Sequence, residues 1–202
     1  MAGSNFKRLA DLPPELVTVT SQLHEGQIYK AEKLCRYFLQ QHPHHPEAMR
    51  LLAAIGVQLH IYDDAEFLLE SVLELEPGFD LARMDYVKVL HKRQKFAEAW
   101  EAAAELRRRM PGNLAAELAY ANQCSAIGRY DEAMEVLEPL IEISPQPWNV
   151  HMLRGHALKT IGEHEAAIES YREACRGRPA FGDAWWSLAN MKTFRFEDSE
   201  VE

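Results

Sequence analysis

Nowhere in this sequence do apolar residues run for long. The longest stretch, LLAAIGV from Leu51 to Val57, falls far short of the roughly 20 residues that a membrane-spanning helix needs. The opening residues, MAGSNFKRLADLPPE, hold no apolar segment of the kind a secretory signal carries. Cysteine is scarce as well. Cys35, Cys124 and Cys175 are the only three in 202 residues. They lie far apart with no C-x-x-C among them, which argues against a disulfide framework or a zinc site. A reducing, cytoplasmic setting is the expectation. Positive charge is in deficit, with 22 lysines and arginines against 31 aspartates and glutamates and a formal net charge of −9. Nucleic acid and anionic membrane surfaces would both repel such a chain, so neither is expected as a partner.

Catalytic signatures are missing too. There is no glycine-rich phosphate loop, no G-x-G-x-x-G, no G-x-S-x-G and no H-E-x-x-H. HEAAI at His164 lacks the second histidine. No catalytic residue, cofactor or metal ligand is expected, and the chain reads as a non-enzyme. His42, His44 and His45 in QHPHHPE look metal-like, but they flank prolines and lack accompanying ligands. They read as an exposed linker.

What is present is a period. Pro43, Pro77, Pro111, Pro145 and Pro179 follow at steps of 34 residues, and Ala31, Ala65, Ala99, Ala133 and Ala167 keep the same step. Three residues before each alanine stands Ile28, Tyr62, Phe96, Tyr130 or His164; His164, in this column, is expected to pack in the core. Each unit has two segments with apolar residues at helical spacing. Gly26, Gly128 or Gly162 interrupts three of them near the middle, where glycine accepts the left-handed turn that closes a helix. The columnar alanine lets two helices approach closely. The proline stops the second helix, because it cannot continue the hydrogen-bond ladder. Asp63, Glu98, Asp131 and Glu165 fall near the starts of second helices, where the dipole favours negative charge. A helix, a tight turn and an antiparallel helix cannot bury an apolar face alone, so the units must stack.

This pattern resembles the tetratricopeptide repeat family. The fifth unit matches through Gly155, Gly162, Ala167, Tyr171, Ala174 and Pro179, and the fourth through Gly128, Tyr130, Ala133, Leu137 and Pro145. The first departs most, with Val19 and Gln22 where a small residue and an aromatic are usual. The resemblance implies an all-α, right-handed superhelical solenoid. Five units are expected at 12–45, 46–79, 80–113, 114–147 and 148–181, with a tail at 1–11, a capping helix at 182–194 and a tail or linker at 195–202.

The closing stretch FGDAWWSLANMKTFRF holds two adjacent tryptophans. By the same resemblance, Trp185, Leu188 and Ala189 fall on the places the family uses for the packing face of a first helix. Trp186 is about 100° further round and is expected to face the concave wall lined by first helices. Stepping by 34 along that wall gives Arg50, Met84, Leu118, Met152 and Trp186, and beside them Ala54, Lys88, Asn122, His156 and Asn190. An apolar floor with polar groups alongside suits an extended peptide or an amphipathic helix. Met and Leu at such spacing serve packing as readily as binding. Trp186 is equally suited to covering by a following segment or to self-association through the C-terminal end. Lys88, Lys92, Arg93 and Lys95 offer either attraction for an acidic segment or a solvated helix end. Arg107, Arg108 and Arg109 decorate a helix C-terminus.

The same stretch is similar to the segment that ends the repeats in bacterial tetratricopeptide proteins with a C-terminal sulfotransferase domain. That resemblance implies a substrate-recognition or regulatory arm whose phosphate-binding loop would follow Glu202. The carboxylate clamp of some family members is not expected, since Leu118 and Leu153 stand where its lysine and second asparagine would be.

Overall fold

The computed structural model describes residues 11–191. Among them are eleven α-helices and no strand. The helices fall into two compact units, one ending at Pro111 and the other beginning at Gly112. The first holds α1 (Pro14–His24), α2 (Ile28–Gln41), α3 (Pro46–Gln58), α4 (Tyr62–Leu75), α5 (Asp80–Lys92) and α6 (Phe96–Arg109). The second holds α7 (Leu114–Ala126), α8 (Tyr130–Ile143), α9 (Pro147–Ile161), α10 (His164–Gly177) and α11 (Gly182–Ala189). Within each unit every helix packs on the next. Alternate helices also meet: α1 with α3, α3 with α5, and α7 with α9. The tail expected at 1–11, positions 192–194 of the expected capping helix and the segment expected at 195–202 lie outside the described residues, except for Asp11, and the last helix ends at Ala189.

The periodic residues carry this arrangement. All five columnar alanines are fully buried. A fully covered Cβ leaves no room for a larger side chain between the paired helices. Each columnar proline stands two residues beyond the last residue of a second helix. The turns inside the hairpins share one backbone solution. Gly26, His60, Gln94, Gly128 and Gly162 all have positive φ, and they too are 34 apart. Sequence reading finds only the three glycines, because the other two turns place ordinary residues in the left-handed region.

In the first unit, Leu16, Val19, Ala31, Cys35, Phe38, Ala48, Leu51 and Ile55 join α1, α2 and α3 in one core. Met49, Ala53, Ala65, Leu69, Val72, Phe79, Ala82 and Val89 continue with α3, α4 and α5. The Cys35 thiol donates to the Ala48 carbonyl at 3.2 Å, and burial pushes its pKa up to about 12. All three cysteines are buried and none forms a disulfide. In the second unit, Met152, Leu158, Ala167, Tyr171, Ala174, Cys175, Ala184, Leu188 and Met191 form the core of α9, α10 and α11.

Three sequence expectations change here. His164 is exposed rather than packed, because Tyr171 and Leu158 already share the core beside Ala167. His45 is more than linker. It caps α3, its Nδ1 accepting from the Ala48 N–H at 3.3 Å, and its ring stands edge-on to Phe38. The basic stretch after α5 is partly committed inward: Arg93 and Lys95 both bind the buried Glu66 carboxylate, and Arg93 also meets Asp63. Burial would raise the pKa of Glu66, but the two cations outweigh it and hold the carboxyl below its ordinary value.

Two substitutions test this packing. A Cβ at Gly155 would come within 2.5 Å of the Tyr171 ring, which is fully buried. Gly155→Ala should therefore destabilise the protein by about 1–3 kcal/mol, read as a lowered Tm in thermal unfolding followed by circular dichroism. Gln94 has φ near 60°, a region that disfavours L-residues by about 1–2 kcal/mol. Glycine relieves that strain but loosens the unfolded chain. Gln94→Gly should raise stability by about 0.5–1 kcal/mol in urea unfolding.

Candidate functional site

Three helices of the second unit frame an open hollow of about 590 Å³. Helix α7 supplies Leu118 and Asn122, one turn apart. Helix α9 supplies Asn149, Met152, Leu153 and His156, which the helical repeat gathers on one face. Phe181 caps the start of α11, and that helix adds Asp183, Trp186 and Ser187. The floor is apolar, and a set of hydrogen-bonding groups edges it.

The adjacent tryptophans divide as their spacing requires. Trp185 is half-buried, leans on the core of α9, α10 and α11, and donates its indole N–H to the Pro179 carbonyl at 2.8 Å. Trp186 turns away and is 69% exposed. A large ring left open to water beside Phe181, Leu118 and Leu153 is the most unusual apolar feature of this face.

His156 connects the hollow to the core. Its Nδ1 lies 3.0 Å from the Tyr171 hydroxyl, and the two rings meet edge-on at 5.5 Å. Burial, with a further push from the Lys159 charge, holds the imidazole pKa below its ordinary value, against the opposing pull of Asp183. That direction favours the neutral ring at pH 7. Burial also pushes the Tyr171 phenol up to about 12, so the pair meets as two neutral groups. Asn149 donates to Gln146 at 3.0 Å. Asn122, Asp183 and Ser187 have no side-chain hydrogen bond or ion pair among the described residues.

Five of the nine residues proposed from sequence line this hollow together: Leu118, Asn122, Met152, His156 and Trp186. Met152 is mostly core and offers only an edge, at 9% exposure. Asn190 is not in the lining. Its amide donates to the Trp186 carbonyl at 2.9 Å, folding it back on its own helix. Arg50, Met84 and Lys88 belong to the first unit. Arg50 is held by Glu47 at 2.7 Å and by Asp85 at 2.6 Å, so its guanidinium is an internal tie rather than an open contact. Lys88 is exposed and pairs with Asp85 at 3.1 Å, and Met84 is half-buried. Sequence reading missed Asn149, Leu153, Phe181, Asp183 and Ser187. A signal was available: Asn149 and Asp183 are 34 apart, as are Leu153 and Ser187, so two further columns flank the pair that was read.

Comparison with known proteins fits the helical fold. Residues 90–157 and 149–180 each match a family model described as tetratricopeptide repeat, so the stretch from 90 to 180 carries repeats of that kind. No curated protein matches it in sequence. Among solved structures it is similar to TTC0263, a thermophilic TPR protein of Thermus thermophilus. The TM-score is 0.73 at 16% identity, over 88% of this chain and 96% of that one. It is similar to YrrB, described as a TPR protein with an unusual peptide-binding site, with TM-score 0.67 at 15% identity over 92% and 96%. It also resembles MamA from Desulfovibrio magneticus RS-1, with TM-score 0.70 at 15% identity over 84% and 98%. At these identities the likeness establishes the fold. No helix among the described residues is long and apolar enough to cross a membrane.

The electrostatics of the hollow are directly measurable. Histidine NMR titration should place the pKa of His156 below 6.5. Asp183→Asn should lower it further and Lys159→Gln should raise it, since the two charges act in opposite senses on the imidazolium.

Proposed function

We propose that this protein is a non-catalytic interaction scaffold that binds a polypeptide segment in the hollow of its second unit. One observation carries the reading: the Trp186 indole lies open to water at the edge of an apolar floor, with unpartnered hydrogen-bonding groups beside it. Covering the whole of a tryptophan hides roughly 150–250 Å², worth at most about 4–6 kcal/mol at 25 cal/mol per Å². Ordering and association take back much of that gain. What is left makes Trp186 an anchor of the kind that dominates small interfaces. The Asn122 amide, a donor and acceptor in one group, matches the alternating polarity of a peptide backbone.

Panning a random dodecapeptide display library on the protein tests this directly. Selected peptides, made synthetically, should bind Trp186→Ala at least about tenfold more weakly and Asn122→Ala about three- to tenfold more weakly. Both side chains lie outside the core, so the melting transition should stay unchanged. Peptides that bind wild type and Trp186→Ala equally would move the binding surface elsewhere and overturn the proposal.

A second reading takes its support from the tryptophan stretch alone. AWWSLAN resembles the segment that ends the repeats of certain bacterial sulfotransferases, which would make this chain the recognition arm of such an enzyme. A phosphate-loop motif encoded soon after Glu202 would select it.

A further inference from the structure

The chemistry of the hollow points to one kind of occupant. Resting on the reading that the hollow binds a polypeptide segment, we propose that this segment pairs a bulky apolar side chain with a nearby lysine or arginine.

Charge carries the argument. Ten side chains line the hollow, and Asp183 is the only carboxylate, lysine or arginine among them. Asp183 is exposed and has no ion pair or hydrogen bond among the described residues. It stands in the first turn of α11. Two cations lie nearby. Lys159 is close enough to act on His156, and the Arg178 guanidinium sits 5.7 Å over the Phe181 ring. Neither lines the hollow, and neither pairs with Asp183. The surroundings reinforce the sign. Residues 112–191 hold eleven acidic side chains against six basic ones, a formal charge of −5 with histidine neutral. An acidic segment would approach against that field, and a basic one with it.

The distribution of groups then sets the order of contacts. The apolar side chain lies on Leu118, Leu153, Phe181 and Trp186. Asn122 and Ser187 meet backbone groups. The cation reaches Asp183, three residues before Trp186 and so on the same face of α11. The apolar anchor supplies most of the affinity. The cation supplies selectivity, because an exposed ion pair adds only a small factor to binding.

The composition of peptides selected from the random dodecapeptide library is the test. Wild-type protein should enrich lysine or arginine within a few residues of leucine, phenylalanine or tryptophan, and should deplete aspartate and glutamate. A selected basic peptide should bind Asp183→Asn about two- to fivefold more weakly, and selection on Asp183→Lys should lose the basic bias or reverse it. Peptides that depend on Trp186 but show no basic bias, or keep that bias on Asp183→Lys, would overturn this inference while leaving the hollow as the binding site. Absence of any Trp186-dependent peptide would instead remove the hollow itself. Sedimentation showing a dimer that Trp186→Ala dissolves would make a second copy the occupant, and would also overturn the inference.

Discussion

Close approach between antiparallel helices is the constraint on which everything else depends. At each hairpin the paired helices meet across an alanine with no exposed surface, and at Gly155 the approach is closer still. There the Tyr171 ring occupies the space a Cβ would take. The small residue on one side of each such contact sets how near the helices can come. The hollow follows from that spacing. α7, α9 and α11 are first helices of successive hairpins, and one face of each is left looking inward over the same space.

The core and the hollow share residues rather than dividing them. Met152 belongs to the packed interior yet shows an edge to the hollow. His156 gives one ring nitrogen to Tyr171 and keeps the other edge toward solvent. Tyr171 in turn fills the gap left by Gly155. A ligand resting on His156 would therefore rest one side chain away from the contact between Tyr171 and Gly155. The floor is thus tied to the packed interior, whereas Trp186 at the rim is mostly open to water.

Much of this was legible in the sequence because it is periodic. The alanine and proline columns mark where helices meet and end, and from them follow the helix pairs and the division of roles between Trp185 and Trp186. What escaped detection is what breaks or exceeds the period. His60 and Gln94 adopt the left-handed turn that glycine makes in the other hairpins, and no residue type announces it. Arg50 stood in the right column but is drawn inward by Glu47 and Asp85. That network depends on Asp85, which lies outside the column. Asn190 kept its register too, and was lost to the carbonyl of its own helix. Side-chain partners of this kind are chosen by three-dimensional neighbours, which a one-dimensional repeat does not encode.

The three thiols carry a practical consequence. All are enclosed, and Cys35 would lose its proton only near pH 12, so thiolate-seeking reagents find no ready target in the folded chain. A cysteine introduced on the outer surface would therefore take a maleimide dye or a spin label almost alone. The native thiols need not be replaced first, and the interior they fill stays undisturbed while the hollow is watched.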